Sequence, residues 1–166
     1  PAARQLDKAC RGQLGELLKS SDIDTDCGKT TLILHPRGDI PAARILVVGC
    51  GKDKRLTPQD FTRVAAATAR ALQSSSATDA VSFLTELDGK DRDLAWKAQR
   101  IVEATRDALY RFDELKSEAK PPKHPLRKLT LAVADRAALA IAKTGVSHGT
   151  AIANGIELAR VLGNRP

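Results

Sequence analysis

The run Gly49-Cys50-Gly51-Lys52 is the segment whose residue types come closest to phosphate chemistry. Backbone N–H groups in a glycine-rich turn can cradle a phosphate, and a lysine ammonium can supply the countercharge. The spacing departs from the phosphate-loop pattern GxxxxGK[ST], because Asp53 follows Lys52, and the pattern GxGxxG is not completed either. The sequence therefore favours a tight turn at the exit of a strand, with a phosphate site as the alternative.

The sequence contains no motif that is typical of a metal site or of a catalytic nucleophile. The cysteines and histidines are widely spaced and include no CxxC pair: Cys10, Cys27, Cys50, His35, His124 and His148. The acidic run 22–26 departs from a calcium loop, because its glycine falls one position late and Ile33 stands where the closing glutamate belongs. With no GxSxG or HExxH motif, the sequence predicts no catalytic residue and no metal ligand.

Basic residues are enriched in one proline-rich segment, Ala119–Lys128, which contains no acidic residue. Its four cations are the candidate DNA-binding residues: Lys120, Lys123, Arg127 and Lys128. The formal net charge of the whole chain is +7, which is compatible with binding to nucleic-acid phosphates. The segment holds no aromatic side chain that could stack on a base, so phosphate contacts without base readout are expected. The alternative is a solvated basic loop.

Composition places the chain among ordinary globular domains. It has 166 residues, 42% of them hydrophobic and only 3% aromatic, so the core is predicted to consist of Ala, Leu, Val and Ile. No apolar run approaches the ~18 residues of a membrane span. The absence of methionine leads us to expect an excised piece of a longer protein.

Two cysteines bear on the cellular compartment. Cys10 lies on the apolar stripe of a predicted helix, and Cys50 follows an apolar run, so both are predicted to be buried as small hydrophobic residues. Reduced thiols together with the lack of a secretory signal predict a cytoplasmic protein.

Hydrophobic periodicity and turn signals divide the chain into alternating helices and strands. Helices are predicted over 2–19, 58–73, 91–112, 135–143 and 146–162, and strands over 29–35, 45–48, 79–85 and 126–134. The aliphatic run 45–48 is typical of a strand covered on both faces. This order predicts an α/β fold, a three-layer sandwich with a mixed, mostly parallel sheet between helices.

The start of the second helix carries the clearest local signal. Thr57 can serve as the N-cap, Pro58 fits the first helical position, and Asp60 lies near the positive end of the helix dipole.

Five segments together resemble the N-terminal domain of the bacterial leucyl (cytosol) aminopeptidases, in the order and at the approximate spacing of that family. They are Arg44–Lys52 (RILVVGCGK), Val81–Glu86 (VSFLTE), Leu109–Leu115 (LYRFDEL), Pro125–Lys128 (PLRK) and Ile152–Pro166 (IANGIELARVLGNRP). The resemblance implies a macro-domain-like fold whose first strand is missing here. It also implies that 1–145 form the α/β domain and 146–166 an interdomain connector helix leading to a catalytic domain outside this chain.

The resemblance also carries functional expectations. The parent would be a metallo-aminopeptidase that releases N-terminal amino acids with two divalent metal ions, Mn or Zn, held in the catalytic domain. No position here matches those ligands or the catalytic residues, so this domain would contribute to assembly. The family is typically hexameric, and some members bind DNA. A rival interpretation is a free-standing macro-like module that binds ADP-ribose or another nucleotide, for which the Gly49–Lys52 turn is the only support.

Overall fold

Helices alternate with short strands along the chain, which confirms the predicted α/β class. A computed structural model describes residues 2–52, 55–114 and 125–165. The helices are α1 Ala2–Ala9, α2 Gln13–Lys19, α3 Pro58–Ser74, α4 Leu94–Leu109 and α5 Arg136–Asn164. The strands are β1 Thr30–Leu34, β2 Arg44–Val48, β3 Asp79–Ser82 and β4 Lys128–Leu131, with a single 3-10 turn at Leu84–Glu86. No described helix is long and apolar enough to span a bilayer.

The N-terminal helix predicted over 2–19 is in fact two helices. Arg11 and Gly12 between them have φ angles of 55° and 80°, in the left-handed region that ends a helix. The Gly12 N–H donates to the carbonyl of Asp7 at 2.8 Å, which closes the last turn of α1. Cys10 at this corner is fully buried, as predicted. Helical periodicity continued across the break, so periodicity alone did not reveal it.

The described strands hydrogen-bond in two separate pairs. β1 and β2 form an antiparallel hairpin, with Thr30 opposite Val48 and Leu34 opposite Arg44. β3 and β4 form a parallel pair. Within the described residues, β2 and β3 are not hydrogen-bonded to each other, so the expected single, mostly parallel sheet is not seen.

Three of the strand predictions need correction, and the simplest case is β4, which spans only Lys128–Leu131 rather than 126–134. β2 is not covered on both faces, because only Ile45 is buried and the next three residues are half-buried; a two-stranded hairpin has too few neighbours to bury both sides. β3 ends at Ser82 rather than Thr85. The chain winds into the 3-10 turn there, and the Thr85 hydroxyl donates to the carbonyl of Ala132 just after β4.

The core is built from two clusters of mainly aliphatic side chains, as the composition predicted. The first packs α1 and α2 against the hairpin and contains Cys10, Leu14, Ile23, Ile33 and Ile45. The second packs α3 against α4 around Phe61, which is 1% exposed. The Phe61 ring lies 5.5 Å from that of Trp96 on α4, so two of the few aromatic residues meet at this helix contact.

The start of α3 matches the predicted capping. Thr57 Oγ1 accepts a hydrogen bond from the N–H of Asp60 at 3.1 Å, and its hydroxyl donates to Asp60 Oδ2 at 2.6 Å. Pro58 occupies the first helical turn. The hydroxyl bond is the main cause that lowers the pKa of the Asp60 carboxyl, which favours its charged form at the helix N-terminus.

The two C-terminal helices predicted over 135–143 and 146–162 form one continuous helix, α5, of 29 residues. Its N-cap is Asp135, whose carboxylate accepts from the N–H of Ala138 at 2.8 Å. Gly145 does not interrupt the helix, because it lies where α5 presses on the backbone of α4. A Cβ at Gly145 would lie 2.1 Å from the carbonyl oxygen of Ala95, and one at Gly149 would lie 2.7 Å from that of Gln99.

We expect Gly145→Ala to lower the free energy of unfolding by about 1–3 kcal/mol, because the new methyl group would collide with backbone rather than with a flexible side chain. Gly155→Ala is the matched control in the same helix, since nothing lies within 4 Å of its Cβ position. Alanine there should stabilise the chain by about 0.5–1 kcal/mol through helix propensity. Urea unfolding followed by circular dichroism measures both changes. Equal effects of the two substitutions would contradict the close helix contact.

Candidate functional site

The Gly49–Lys52 turn uses its glycine N–H groups within the protein. Gly49 donates to the carbonyl of Lys29 at 2.8 Å, and Gly51 donates to the carbonyl of Thr25 at 2.9 Å. The Gly49 carbonyl in turn accepts from the N–H of Gly28 at 2.9 Å. These bonds extend the hairpin past β1 and β2 and occupy donors that a phosphate would need. The geometry therefore supports the tight-turn interpretation.

Close backbone approach explains the two glycines of this turn. A Cβ at Gly49 would lie 2.2 Å from the carbonyl oxygen of Asp26, so no other residue fits there. Gly51 has a φ angle of 79°, which L side chains rarely adopt. Lys52 is exposed at the end of the turn. Glycines that look like a phosphate cradle in sequence are here required by packing.

Burial raises the pKa of both cysteines beside this turn, which favours the protonated thiol form of each. Cys27 Sγ lies 3.7 Å from Asp60 Oδ1, and burial is the main cause that raises the pKa of Cys27. Burial also raises the pKa of Cys50, which is half-buried rather than fully buried as predicted. Across residues 2–52, 55–114 and 125–165, no group of three or more His, Cys, Asp or Glu side chains could hold a metal ion. The family resemblance implies a metal centre in the catalytic domain, outside this chain, and the described residues offer no ligand cluster that would fit a further one.

Two of the four candidate DNA-binding residues lie within the part of the chain that the structure describes. Lys120 and Lys123 lie outside the described residues. Arg127 and Lys128 are exposed where the chain enters β4, and the N–H of Arg127 donates to the carbonyl of Thr78 at 2.7 Å. This bond anchors the backbone beside β3, while both cationic side chains remain on the surface. The structure thus fixes the position of two of the four cations.

Sequence reasoning missed a crevice of about 210 Å³ beside the carboxyl ends of β3 and β4. Ligands of parallel α/β sheets often bind at this edge. The crevice is lined by Thr85, Glu86, Leu94, Lys97, Val133, Ala134 and Ala138. No sequence signal pointed to it, because its residues come from three separate segments.

The polar groups of the crevice are engaged within the protein. Lys97 Nζ donates to the carbonyls of Thr85 at 2.9 Å and Leu87 at 3.0 Å. Glu86 Oε2 accepts from the N–H of Ala2 at 2.7 Å. Burial lowers the pKa of the Lys97 ammonium, although its carbonyl partners satisfy two of its three donors. Lys97 therefore holds the 3-10 turn against α4.

Ion pairs join the C-terminal half of α5, and Arg165 directly after it, to α4 and to the segment that follows α4. Arg106 contacts Glu157 at 2.6 Å, and Arg160 contacts Asp107 at 2.5 Å. Further along, Arg165 contacts Glu114 at 2.8 Å, and this hydrogen bond is the main cause that lowers the pKa of the Glu114 carboxyl. The partners are about fifty residues apart in sequence, so only the packing of the two helices reveals them.

These features define an α/β domain in which most of the polar groups described above form hydrogen bonds or ion pairs within the domain. The sequence profile of the cytosol aminopeptidase family, N-terminal domain, matches residues 1–119. The chain belongs to this family. The match is to the N-terminal domain of the cytosol aminopeptidases, as the sequence resemblance predicted.

Curated relatives support the assignment over the whole chain. It is 41% identical over 166 residues to a probable cytosol aminopeptidase of Alkalilimnicola ehrlichii, covering 100% of this chain and 33% of the relative. It is 40% identical over 164 residues to one of Idiomarina loihiensis, covering 99% of this chain and 32% of the relative. The chain therefore spans about a third of the length of the curated relatives that it matches.

Solved structures show the same fold. A mutant of tomato leucine aminopeptidase superposes with a TM-score of 0.70 at 22% identity, covering 100% of this chain and 31% of that one. The bottromycin maturation enzyme BotP in complex with Mn superposes with a TM-score of 0.66 at 26% identity, covering 89% and 28%. In both cases, the likeness extends over less than a third of the larger chain.

We expect calorimetric titration with ADP-ribose, or with inorganic phosphate alone, to give no saturable heat. The physical reason is that the Gly49 and Gly51 N–H groups already donate to backbone carbonyls. The Lys52→Ala variant serves as the control. Saturable heat that disappears in this variant would restore the nucleotide-binding alternative.

Proposed function

We propose that the chain is the accessory, non-catalytic domain of a two-metal leucyl aminopeptidase that releases N-terminal amino acids from peptides. One observation carries the proposal: a domain belonging to the cytosol aminopeptidase family spans about a third of its relatives and shows no metal-type cluster in its described part. Its contribution is to the assembly of the parent enzyme, and its first partner is the parent's own catalytic domain.

Metal chemistry belongs to the rest of the parent in this proposal. Two divalent ions, manganese or zinc, would polarise the peptide carbonyl and generate hydroxide from water. The manganese in the BotP structure supports metal use by a related enzyme. The part of this chain that the structure describes contributes no ligand set, so the domain is not expected to hold these ions.

The proposal also covers the oligomeric state of the parent enzyme and its cellular compartment. The parent is a homohexamer, as the family resemblance implies, and works in the cytoplasm, in keeping with the names of the curated relatives. The half-buried thiols of Cys27 and Cys50 fit a reducing compartment.

The isolated chain should release no leucine chromophore in the presence of added manganese or zinc. The parent chain, assayed under the same conditions, should release it and should lose this activity on treatment with a chelator. The reason is that the reaction needs two closely spaced metals, for which the described part of this domain lacks a ligand cluster. Metal-dependent release by a homogeneous preparation of the isolated chain would refute the accessory role.

DNA binding is a second candidate function, favoured by the net charge of +7 and by the exposure of Arg127 and Lys128. No described acidic side chain lies within ion-pair distance of either cation, so their charge is available to a phosphate. One domain offers few contacts and should bind weakly. Several copies in an assembled parent could engage one duplex, which would raise the apparent affinity through effective concentration.

For the parent protein, four phosphate contacts predict a log–log dependence of affinity on salt with a slope of about −3.6. Alanine at all four candidate positions should flatten this slope without loss of peptidase activity; the positions are Lys120, Lys123, Arg127 and Lys128. A matched control removes four exposed cations elsewhere: Arg4, Lys8, Lys19 and Lys29. Fluorescence anisotropy with duplex DNA gives both slopes. Equal flattening in the two variants would show that only net charge matters, and an unchanged slope would place any DNA surface elsewhere.

A further inference from the structure

One long face of α5 carries no Lys, Arg, Asp or Glu. Its residues follow each other at alternating spacings of four and three, which places them on one side of the helix over about 38 Å. We call this set the outer face of α5: Ala137, Ile141, Thr144, His148, Ala151, Gly155, Leu158 and Leu162. All eight residues are exposed, and the side chains of Leu158 and Leu162 are each 60% exposed.

The outer face is distinct from the face that packs on α4. The residues of α5 that are buried against the domain are Ala142, Gly145, Gly149 and Ala153. The charged residues of the helix lie off the outer face, and two of them, Glu157 and Arg160, form the ion pairs with α4. One side of α5 therefore packs against α4, whereas the outer face has no neighbour among the described residues.

An uncharged helix face of this length is unusual for a surface that remains in water. Solvent-facing helix surfaces normally carry charged residues, and apolar residues at spacings of three and four mark the side of a helix that packs on another element. Ile152 lies at the edge of the outer face, one helical turn from His148 and from Gly155, and is 42% exposed, which widens the uncharged area at this point. Contiguous exposed apolar patches of this kind mark interaction surfaces.

We infer that the outer face of α5 is the surface on which the remainder of the aminopeptidase chain docks. The inference rests on the proposed function. The family match identifies this domain as the N-terminal one, and about two thirds of each curated relative lies outside the matched region. α5 is the last element of the domain, so its C-terminal half lies nearest in sequence to the part of the parent that follows.

The distribution of side chains favours this occupant over a second copy of the domain. A symmetric helix pair is stabilised by large aliphatic residues along its whole seam, and Thr144, His148 and Gly155 are poor residues for such positions. Two of the three large aliphatic residues of the face, Leu158 and Leu162, lie at its C-terminal end, whereas Ile141 stands apart from them nearer the N-terminus. The small residues nearer the N-terminus allow close approach of a backbone, which suits an irregular neighbouring domain.

The test compares two substitutions in the parent chain and in the isolated domain. Leu158→Glu places a charge on the outer face, and Leu139→Glu places the same charge on an exposed leucine of the same helix outside that face. In the isolated domain, both variants should melt within about 2 °C of the unsubstituted chain, because both positions are exposed. In the parent, Leu158→Glu should lower the melting midpoint by at least about 5 °C more than Leu139→Glu does.

Each outcome decides the inference. Equal shifts for the two variants in the parent would overturn it. A dimer of the isolated domain in analytical ultracentrifugation that Leu158→Glu converts to monomer would also overturn it, in favour of self-association. Peptidase activity of the parent is measured separately. A parent without this activity would refute the proposed function, while the melting comparison would still report whether the face is covered.

Discussion

The close approach of the α4 and α5 backbones is the constraint on which the C-terminal half of the domain depends. It is possible only because Gly145 and Gly149 lack side chains at the two positions where the helices touch. Ala153, one turn further along, is buried and continues the line of small residues at intervals of four. With bulkier residues, α5 would have to lift away from α4, and the ion pairs of Arg106 and Arg160 could not form.

This contact also determines what α5 can offer to a partner. Small residues fix one side of the helix to α4, so the opposite, uncharged side has a defined orientation relative to the α/β domain. The ion pairs add little stability individually, because most of their side chains are a third or more exposed and are screened by solvent. Their main effect is on geometry, because each ion pair restricts rotation of α5 about its own axis.

Features encoded by neighbouring residues could be predicted from the sequence, whereas features that depend on distant contacts could not. The start of α3 was predictable because Thr57 and Asp60 are three residues apart and interact directly. The predicted division between helices 135–143 and 146–162 was wrong, because no local signal indicates that Gly145 packs against Ala95 within one continuous helix. The strands were found by periodicity, but their pairing into a hairpin and a parallel pair was not, since alternation of residues does not specify which edges meet. The family was recognisable because five ordered segments gave information that no single motif carried.

The candidate sites illustrate why residue type alone is a weak guide to function. Gly49, Lys97 and Cys27 are all of residue types that occur in functional sites, but each contacts other parts of the fold. The Gly49 N–H donates to a backbone carbonyl, Lys97 donates to the 3-10 turn, and the Cys27 thiol contacts Asp60. The groups left without internal partners are of a different kind. Among the described residues, they include the exposed cations Arg127 and Lys128, before and within β4, and the uncharged outer face of α5. In the described part of the chain, the groups with reactive chemistry therefore stabilise the fold, which is the arrangement that the proposed accessory role requires.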